Sequence, residues 1–276
     1  MFTYLNGAYI EKDSAFICVD DRGFRFGDGL FETVAILGGT PHLLDAHLAR
    51  LHEGMSALRF PKLDAPYHTI IDELITRNHV VDGVARIIIT RGSGSIGYLP
   101  TSTTPTCYIE AHPQAIALAA ANPPPPIHIR PSIYARIGSD CLPSFAKMTN
   151  AMNLILARME AEDYGVADTL LCTSEGIIAE TSSGNLLWRQ GDRYFTPCTS
   201  TGCVSGTMRQ HLMRQLPIIP IRAPLIRLEH ADAVVMTNAL NGVIPITRCG
   251  DAYHFPYSSA WAKELWEYAR TQSAII

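Results

Sequence analysis

The chain has 276 residues, 47% hydrophobic and 17% charged, an ordinary composition for a globular protein. Its net charge of −4, without a basic run, argues against nucleic acid or an anionic membrane as partner, and its mostly arginine cations suit planar contact with phosphate or carboxylate. Seven cysteines without C-x-x-C spacing and ten histidines without H-E-x-x-H predict no disulfide framework and no metal site; lacking an apolar leader or a run of ~20 apolar residues, the chain is expected to be cytoplasmic.

One large domain or two of about 100–150 residues is expected at this length. Up to Ala111 strand and helix signals alternate. Phe2–Leu5, Ala8–Ile10 and Ala15–Val19 read as short strands, and Leu30–Leu37 as a longer one closed by the turn signal Gly38-Gly39. Leu44, Leu48, Leu51, Met55 and Leu58 recur at helical spacing, and a second helix is predicted over Ala65–Arg77. Strands Val84–Thr90 and Thr106–Ala111 follow.

Four consecutive prolines, Pro123 to Pro126, can continue neither a helix nor a central strand and read as a stiff connector. The predicted domains are therefore 1–120 and 128–276, with 121–127 as linker. Beyond it a helix is expected over Thr149–Tyr164, then strands Thr169–Cys172, Ile177–Glu180, Leu186–Arg189 and Arg193–Thr196. A helix from Gly206, strands Ile218–Arg222, Ala233–Met236 and Val243–Ile246, and a closing amphipathic helix Tyr257–Arg270 complete the pattern.

Lys147 is one of four lysines and precedes an apolar helix whose first turns carry Asn150 and Asn153. Taken alone it reads as a solvated lysine before a helix. Glu180 stands out more, because a carboxylate closing the apolar run Ile177-Ile178-Ala179 needs a positive partner or a donor if it is buried. An exposed glutamate at a hairpin end is the competing reading. An amine together with a carboxylate is what an imine-forming pyridine cofactor requires.

Thr201-Gly202-Cys203-Val204-Ser205-Gly206-Thr207-Met208-Arg209 is a small-residue turn entering a helix, able to present backbone N–H groups to an anion, and Thr237-Asn238-Ala239-Leu240 could add donors. Arg50, on the polar side of Leu44–Leu58, is a candidate phosphate clamp, while His47 is read as structural. The glycine-rich loop Arg91 to Tyr98 either binds a substrate carboxylate through Arg91 or is a mobile turn.

In order, these segments resemble the fold-type IV pyridoxal-phosphate enzymes: branched-chain and D-amino-acid aminotransferases and 4-amino-4-deoxychorismate lyase. The resemblance is carried by Asp21 to Thr33, His47 to Leu51, Lys147 with Asn150, Glu180 to Asn185, Gly206 to Arg209 and Asp232 to Pro245. Within the family, Arg91 to Tyr98, Asn185 to Arg189 and Val204 to Gln210 are most similar to the lyase, whereas Glu32 is more like the aminotransferases and Asn241-Gly242 departs from the lyase pattern.

The resemblance implies an α/β (α+β) fold, with a small N-terminal α/β domain, a larger C-terminal sheet-based domain and pyridoxal 5'-phosphate between them. It implies that Lys147 carries the cofactor and then acts as general base, and that Glu180 pairs with the ring nitrogen. Arg50, the backbone N–H groups of Thr207 and Met208, and Asn238 with Ala239 would hold the phosphate, with Val204 on one ring face and Ser183 near the other. Thr33 would relay a proton to the leaving group, with a packing threonine in a strand as the competing reading; Arg91 and Tyr98 would contact substrate, and the enzyme would be a homodimer acting on a small molecule.

Overall fold

The computed structural model describes residues 1–94, 97–100, 104–257 and 259–271. Two compact units are formed, one from Met1–Ala119 with Ala146–Asn150, the other from Ala120–Phe145 with Ala151–Ile276.

The first unit contains β1 (Phe2–Leu5), β2 (Ala8–Glu11), α1 (Arg22–Phe26), β3 (Gly29–Leu37), β4 (Thr40–Pro41), α2 (Leu44–Ala57), α3 (Tyr67–Arg77), β5 (Gly83–Thr90) and β6 (Thr106–Pro113). Its strands form one antiparallel sheet in the order β2-β1-β6-β5-β3-β4. The spacing of Leu44, Leu48, Leu51 and Met55 gives α2 one apolar stripe, which is buried together with Val34, Ile36, Ile87 and Ile109 of the sheet. Helix α2 packs on β3, and α3 on β1 and β6.

The short segment 146–150 joins this unit by strand-like pairing with the start of β3. The Phe31 N–H donates to the Lys147 carbonyl at 2.9 Å, the Thr149 N–H to the Gly29 carbonyl at 3.0 Å, and the Thr149 hydroxyl to the Gly27 carbonyl at 2.7 Å.

The second unit contains β7 (Ile127–Pro131), α4 (Met152–Asp163), β8 (Asp168–Cys172), β9 (Ile178–Thr181), β10 (Asn185–Gln190), β11 (Arg193–Pro197), α5 (Thr207–Gln215), β12 (Ile218–Ile221), β13 (Ala233–Asn238), β14 (Gly242–Cys249), β15 (Tyr253–His254) and α6 (Ser259–Arg270). Its sheet runs β12-β11-β10-β13-β14-β7-β8-β9, with β15 on β14, and is parallel at β11–β12, β14–β7 and β7–β8. The sheet curls so that β9 lies against β10 and β11. The curl encloses a core of Ile129, Leu170, Ile178, Leu186, Trp188, Val234, Met236 and Ile246.

Several expectations are corrected. Ala15–Val19 is not a strand: it is irregular chain with Phe16 and Val19 exposed, so its apolar residues have no sheet to join. The predicted linker ends inside structure, because Ile127 opens β7, a strand paired on both sides by β14 and β8. The helix expected from Thr149 starts at Met152, since pairing with β3 holds residues 147–149 extended. Residues 146–150 thus group with the N-terminal unit, although the predicted boundary places them in 128–276. Helix α1 was not foreseen. It is five residues long, capped by the Asp21 carboxylate on the Gly23 N–H and stopped by Gly27 at φ 64°.

Candidate functional site

Glu180 lies near the end of β9 with its carboxylate buried. The positive partner that burial requires is Arg136, whose Nε donates to Oε1 at 2.6 Å. On the other oxygen, the Val204 backbone N–H donates at 3.0 Å and the Asn185 amide at 3.3 Å. Asn185 also donates to the Val204 carbonyl at 2.9 Å, so one amide ties Glu180 to the loop that enters α5.

Gly206 is the N-cap of α5 and offers no side chain to the first-turn N–H groups. Its backbone is ordinary (φ −62°), but a Cβ there would meet the Asn185 amide oxygen at 1.9 Å. Glycine is required by close approach, and the N-terminus of α5, with Thr207 and Met208 in its first turn, is held beside Asn185. Asn185 pairs in register with Thr237 of β13, and Asn238 follows. The Asn238 side chain accepts from the Leu240 and Asn241 N–H groups at 3.1 and 2.8 Å, forming a tight turn around Ala239, and donates to the Ser183 carbonyl at 3.2 Å.

The Ser182-Ser183 turn is fixed from below by buried Asp168. One oxygen of Asp168 accepts the Thr169 and Ser182 N–H groups and the Ser182 hydroxyl; the other accepts the Ser183 hydroxyl at 2.6 Å. The second unit thereby gathers Glu180, Ser183, Val204, Thr207, Met208, Asn238 and Ala239 around one helix N-terminus. A buried carboxylate beside first-turn N–H groups can receive a protonated ring nitrogen and an anion respectively. One further observation fits a ligand there: the buried Thr237 hydroxyl, on the residue paired with Asn185, has no hydrogen-bond partner among the described residues.

In the first unit, Lys147 is half-buried and its amine stands 4.1 Å from the centre of the Phe31 ring. Phe31 and Thr33 alternate with Glu32 along β3, so Thr33 shares the Phe31 face and Glu32 points to the other. There Glu32 meets two residues of α2. Arg50 donates to it through Nε at 2.8 Å and a terminal nitrogen at 2.5 Å, and His47 Nδ1 lies 2.6 Å away. Burial raises the pKa of Glu32, but Arg50 and His47 override it and hold the carboxyl at about 2. Burial pushes the His47 pKa down, against Glu32, which raises it. The expected phosphate clamp, Arg50, is thus oriented by an acidic partner, and the His47 expected to be structural is the third member of that cluster.

Arg91 does not have the arrangement expected of a substrate receptor. Its Nε bonds Asp28 at 2.8 Å, and its terminal nitrogens donate to the Arg59 and Leu58 carbonyls at 2.8 and 2.9 Å, with the guanidinium over the Phe60 ring. All three nitrogens serve packing, because the side chain is drawn inward to the C-terminal end of α2. Tyr98 is exposed; its carbonyl accepts from Arg22 and its ring lies 5.8 Å from Phe26. Ser95 and Ile96 of the same loop lie outside the described residues.

Arg136 and Asp168 escaped the sequence reading. Glu180, if buried, called for a positive partner or a donor, but Arg136 lies 44 positions earlier in an irregular segment with no periodicity to aim it. Among the described residues there is no group of three potential metal ligands, and no helix is long and apolar enough to cross a membrane.

A family model described as amino-transferase class IV matches residues 29–249. The aminodeoxychorismate lyase of Bacillus subtilis (strain 168) is 29% identical over 258 residues, covering 89% of this chain and 85% of that protein. The D-alanine aminotransferase of Bacillus licheniformis is 23% identical over 262 residues, covering 90% and 88%. Among solved structures, the branched-chain amino acid aminotransferase of Escherichia coli has a TM-score of 0.88 at 20% identity, over 96% of this chain and 92% of that one, a likeness of fold. Because the matched span takes in most of both units, from β3 to the end of β14, the chain belongs to the class IV aminotransferase family.

Proposed function

We propose that this protein is a 4-amino-4-deoxychorismate lyase, releasing 4-aminobenzoate and pyruvate for folate biosynthesis. Enzymes of class IV depend on pyridoxal 5'-phosphate, and the observation that carries the cofactor assignment is Glu180, a buried carboxylate held beside the N-terminus of α5. The choice of lyase is supported by the 29% identity to the B. subtilis enzyme and by the segments Arg91 to Tyr98 and Asn185 to Arg189.

When bound, pyridoxal phosphate supplies an aldehyde that takes up an amine and a ring that accepts electrons. In this reading Lys147 would hold it and Glu180 would keep its ring nitrogen protonated. Arg50, the N–H groups of Thr207 and Met208, and Asn238 with Ala239 would hold its phosphate. Val204 and Ser183 would contact the ring.

With substrate bound, Lys147 as a free amine would take the proton from the amine-bearing carbon of the substrate. The carbon–oxygen bond to the enolpyruvyl group then breaks, and aromatisation drives the step. Thr33 returns a proton to the departing enolpyruvate, directly or through water, giving pyruvate. Tyr98 contacts substrate, and the role first given to Arg91 passes to no residue.

The reading includes a cytoplasmic homodimer. Met152, Ile155 and Met159 are exposed in an i, i+3, i+7 row on α4, an apolar stripe that a second copy would cover. Sedimentation of the purified protein at twice the monomer mass is the expected result.

The deciding experiment supplies aminodeoxychorismate without any keto acid. Equal amounts of pyruvate and 4-aminobenzoate are expected. A requirement for a keto-acid acceptor, with amino-group transfer from D- or branched-chain amino acids, would replace the lyase by an aminotransferase, the second reading that the B. licheniformis relative supports. Lys147→Ala should abolish turnover and the absorbance at about 410–420 nm that a lysine-bound pyridine aldehyde gives.

A further inference from the structure

We propose that Arg136 is a positioning residue for the cofactor ring, acting through Glu180 and setting how strongly that carboxylate draws the ring-nitrogen proton. The inference rests on the assignment of Glu180 to the ring nitrogen.

The geometry is confined to the second unit. Both side chains are about 95% buried, and the 2.6 Å contact runs from Nε, so one carboxylate oxygen is committed to the guanidinium. The other oxygen is turned toward Asn185 and Val204, on the side of the α5 N-terminus. Three bonds from three separate segments fix the rotation of the carboxylate plane.

Arg136 is itself wedged in place. Its backbone N–H donates to the Cys172 carbonyl at 2.8 Å, at the end of β8. Over it passes the loop at Gly202, where φ is 89° and a Cβ would meet the Ile137 carbonyl at 2.2 Å and Arg136 Cγ at 3.4 Å. Arg209 of α5 and the Cys203 thiol are titratable groups coupled to Glu180 by charge. Arg209 is already engaged with the Thr196 hydroxyl and the Pro197 carbonyl.

A carboxylate that shares an oxygen with a buried guanidinium stays ionised and is a weaker base than one facing the ring alone. The proton on the ring nitrogen is then held less tightly, and the electron demand of the ring is a property of the Arg136–Glu180 pair. A glutamate without its arginine would hold that proton to higher pH.

The test uses Arg136→Gln, Arg136→Lys, Glu180→Gln and a double variant that combines Arg136→Gln with Glu180→Gln. In cofactor-free protein with carbon-13-labelled glutamate, assigned by loss of one signal in Glu180→Gln, the Glu180 carboxyl should titrate at least about one pH unit higher in Arg136→Gln. Arg136→Lys should give a smaller upward shift. In the holoenzyme, the pH midpoint of the visible absorbance should rise in Arg136→Gln, and the same substitution should change nothing further in the Glu180→Gln background.

An unmoved Glu180 titration in a folded Arg136→Gln protein overturns the inference. If that variant does not fold, an unmoved titration in Arg136→Lys overturns it equally. Failure of the wild-type protein to bind pyridoxal phosphate would instead remove the functional reading, while the carboxyl titration still reports on the pair.

Discussion

Glu32 of β3 and Arg50 of α2 face each other through two hydrogen bonds, 2.8 and 2.5 Å long, with both side chains buried. His47, one helical turn before Arg50, closes on the same carboxylate. A strand and a helix are thereby joined by charge as well as by the apolar stripe of α2.

This cluster makes the first unit acid-sensitive. The folded-state pKa of Glu32, about 2, lies below its ordinary 4.5, so the stabilisation is complete above pH 4.5 and is lost as pH falls toward 2. On the order of 3 kcal/mol is involved. His47, also depressed, acts in the same direction: it favours the folded state above its ordinary value of 6.5 and loses that contribution as pH falls. Glu32→Gln should flatten the loss of stability between pH 4.5 and 2, measured by urea unfolding across that range. Glu32→Ala, which removes the carboxylate that pairs with a buried guanidinium, should cost about 3–5 kcal/mol at neutral pH.

Thr33 lies on the Phe31 face of β3, the face over which the Lys147 amine sits. As the relay to the leaving group it should be worth about 10²–10⁴ in kcat. Thr33→Ala is expected to lose that factor with an unchanged melting temperature, and Thr33→Ser to recover most of it. A Thr33→Ala enzyme within about twofold of wild-type kcat would reduce the residue to packing.

Arg91 is predicted to matter for stability and not for substrate affinity. Its pairing with Asp28 lowers the carboxyl pKa of Asp28 against the opposing effect of burial, and its other donors hold the end of α2. Arg91→Ala should cost about 3–5 kcal/mol in chemical unfolding, with KM of the folded fraction little changed. A raised KM at undiminished stability would restore the substrate role.

Gly206→Ala inserts a methyl group where the Asn185 oxygen lies 1.9 Å from the added carbon, at backbone angles that alanine tolerates. Overpacking of this kind costs about 1–3 kcal/mol. Because Asn185 must move, the loss should extend to cofactor affinity, read by equilibrium dialysis of pyridoxal phosphate. Melting lowered without any change in that affinity would separate Gly206 from the anion site.

What the amino-acid order settled by itself is local. The two-residue alternation of β3 decided that Phe31 and Thr33 oppose Glu32, and the three-residue step from His47 to Arg50 decided that they share a helix face. A carboxylate closing an apolar strand required a partner for Glu180 if it was buried, and left an exposed hairpin end as the other reading. These follow from backbone periodicity and from the cost of burying charge, which neighbouring residues alone reveal. Only the tertiary structure decided that Arg136 is that partner, that Lys147 pairs with the start of β3, and that Arg91 turns inward to Asp28. Such pairings depend on which surfaces close over one another when distant segments pack, and no periodicity within a segment encodes that.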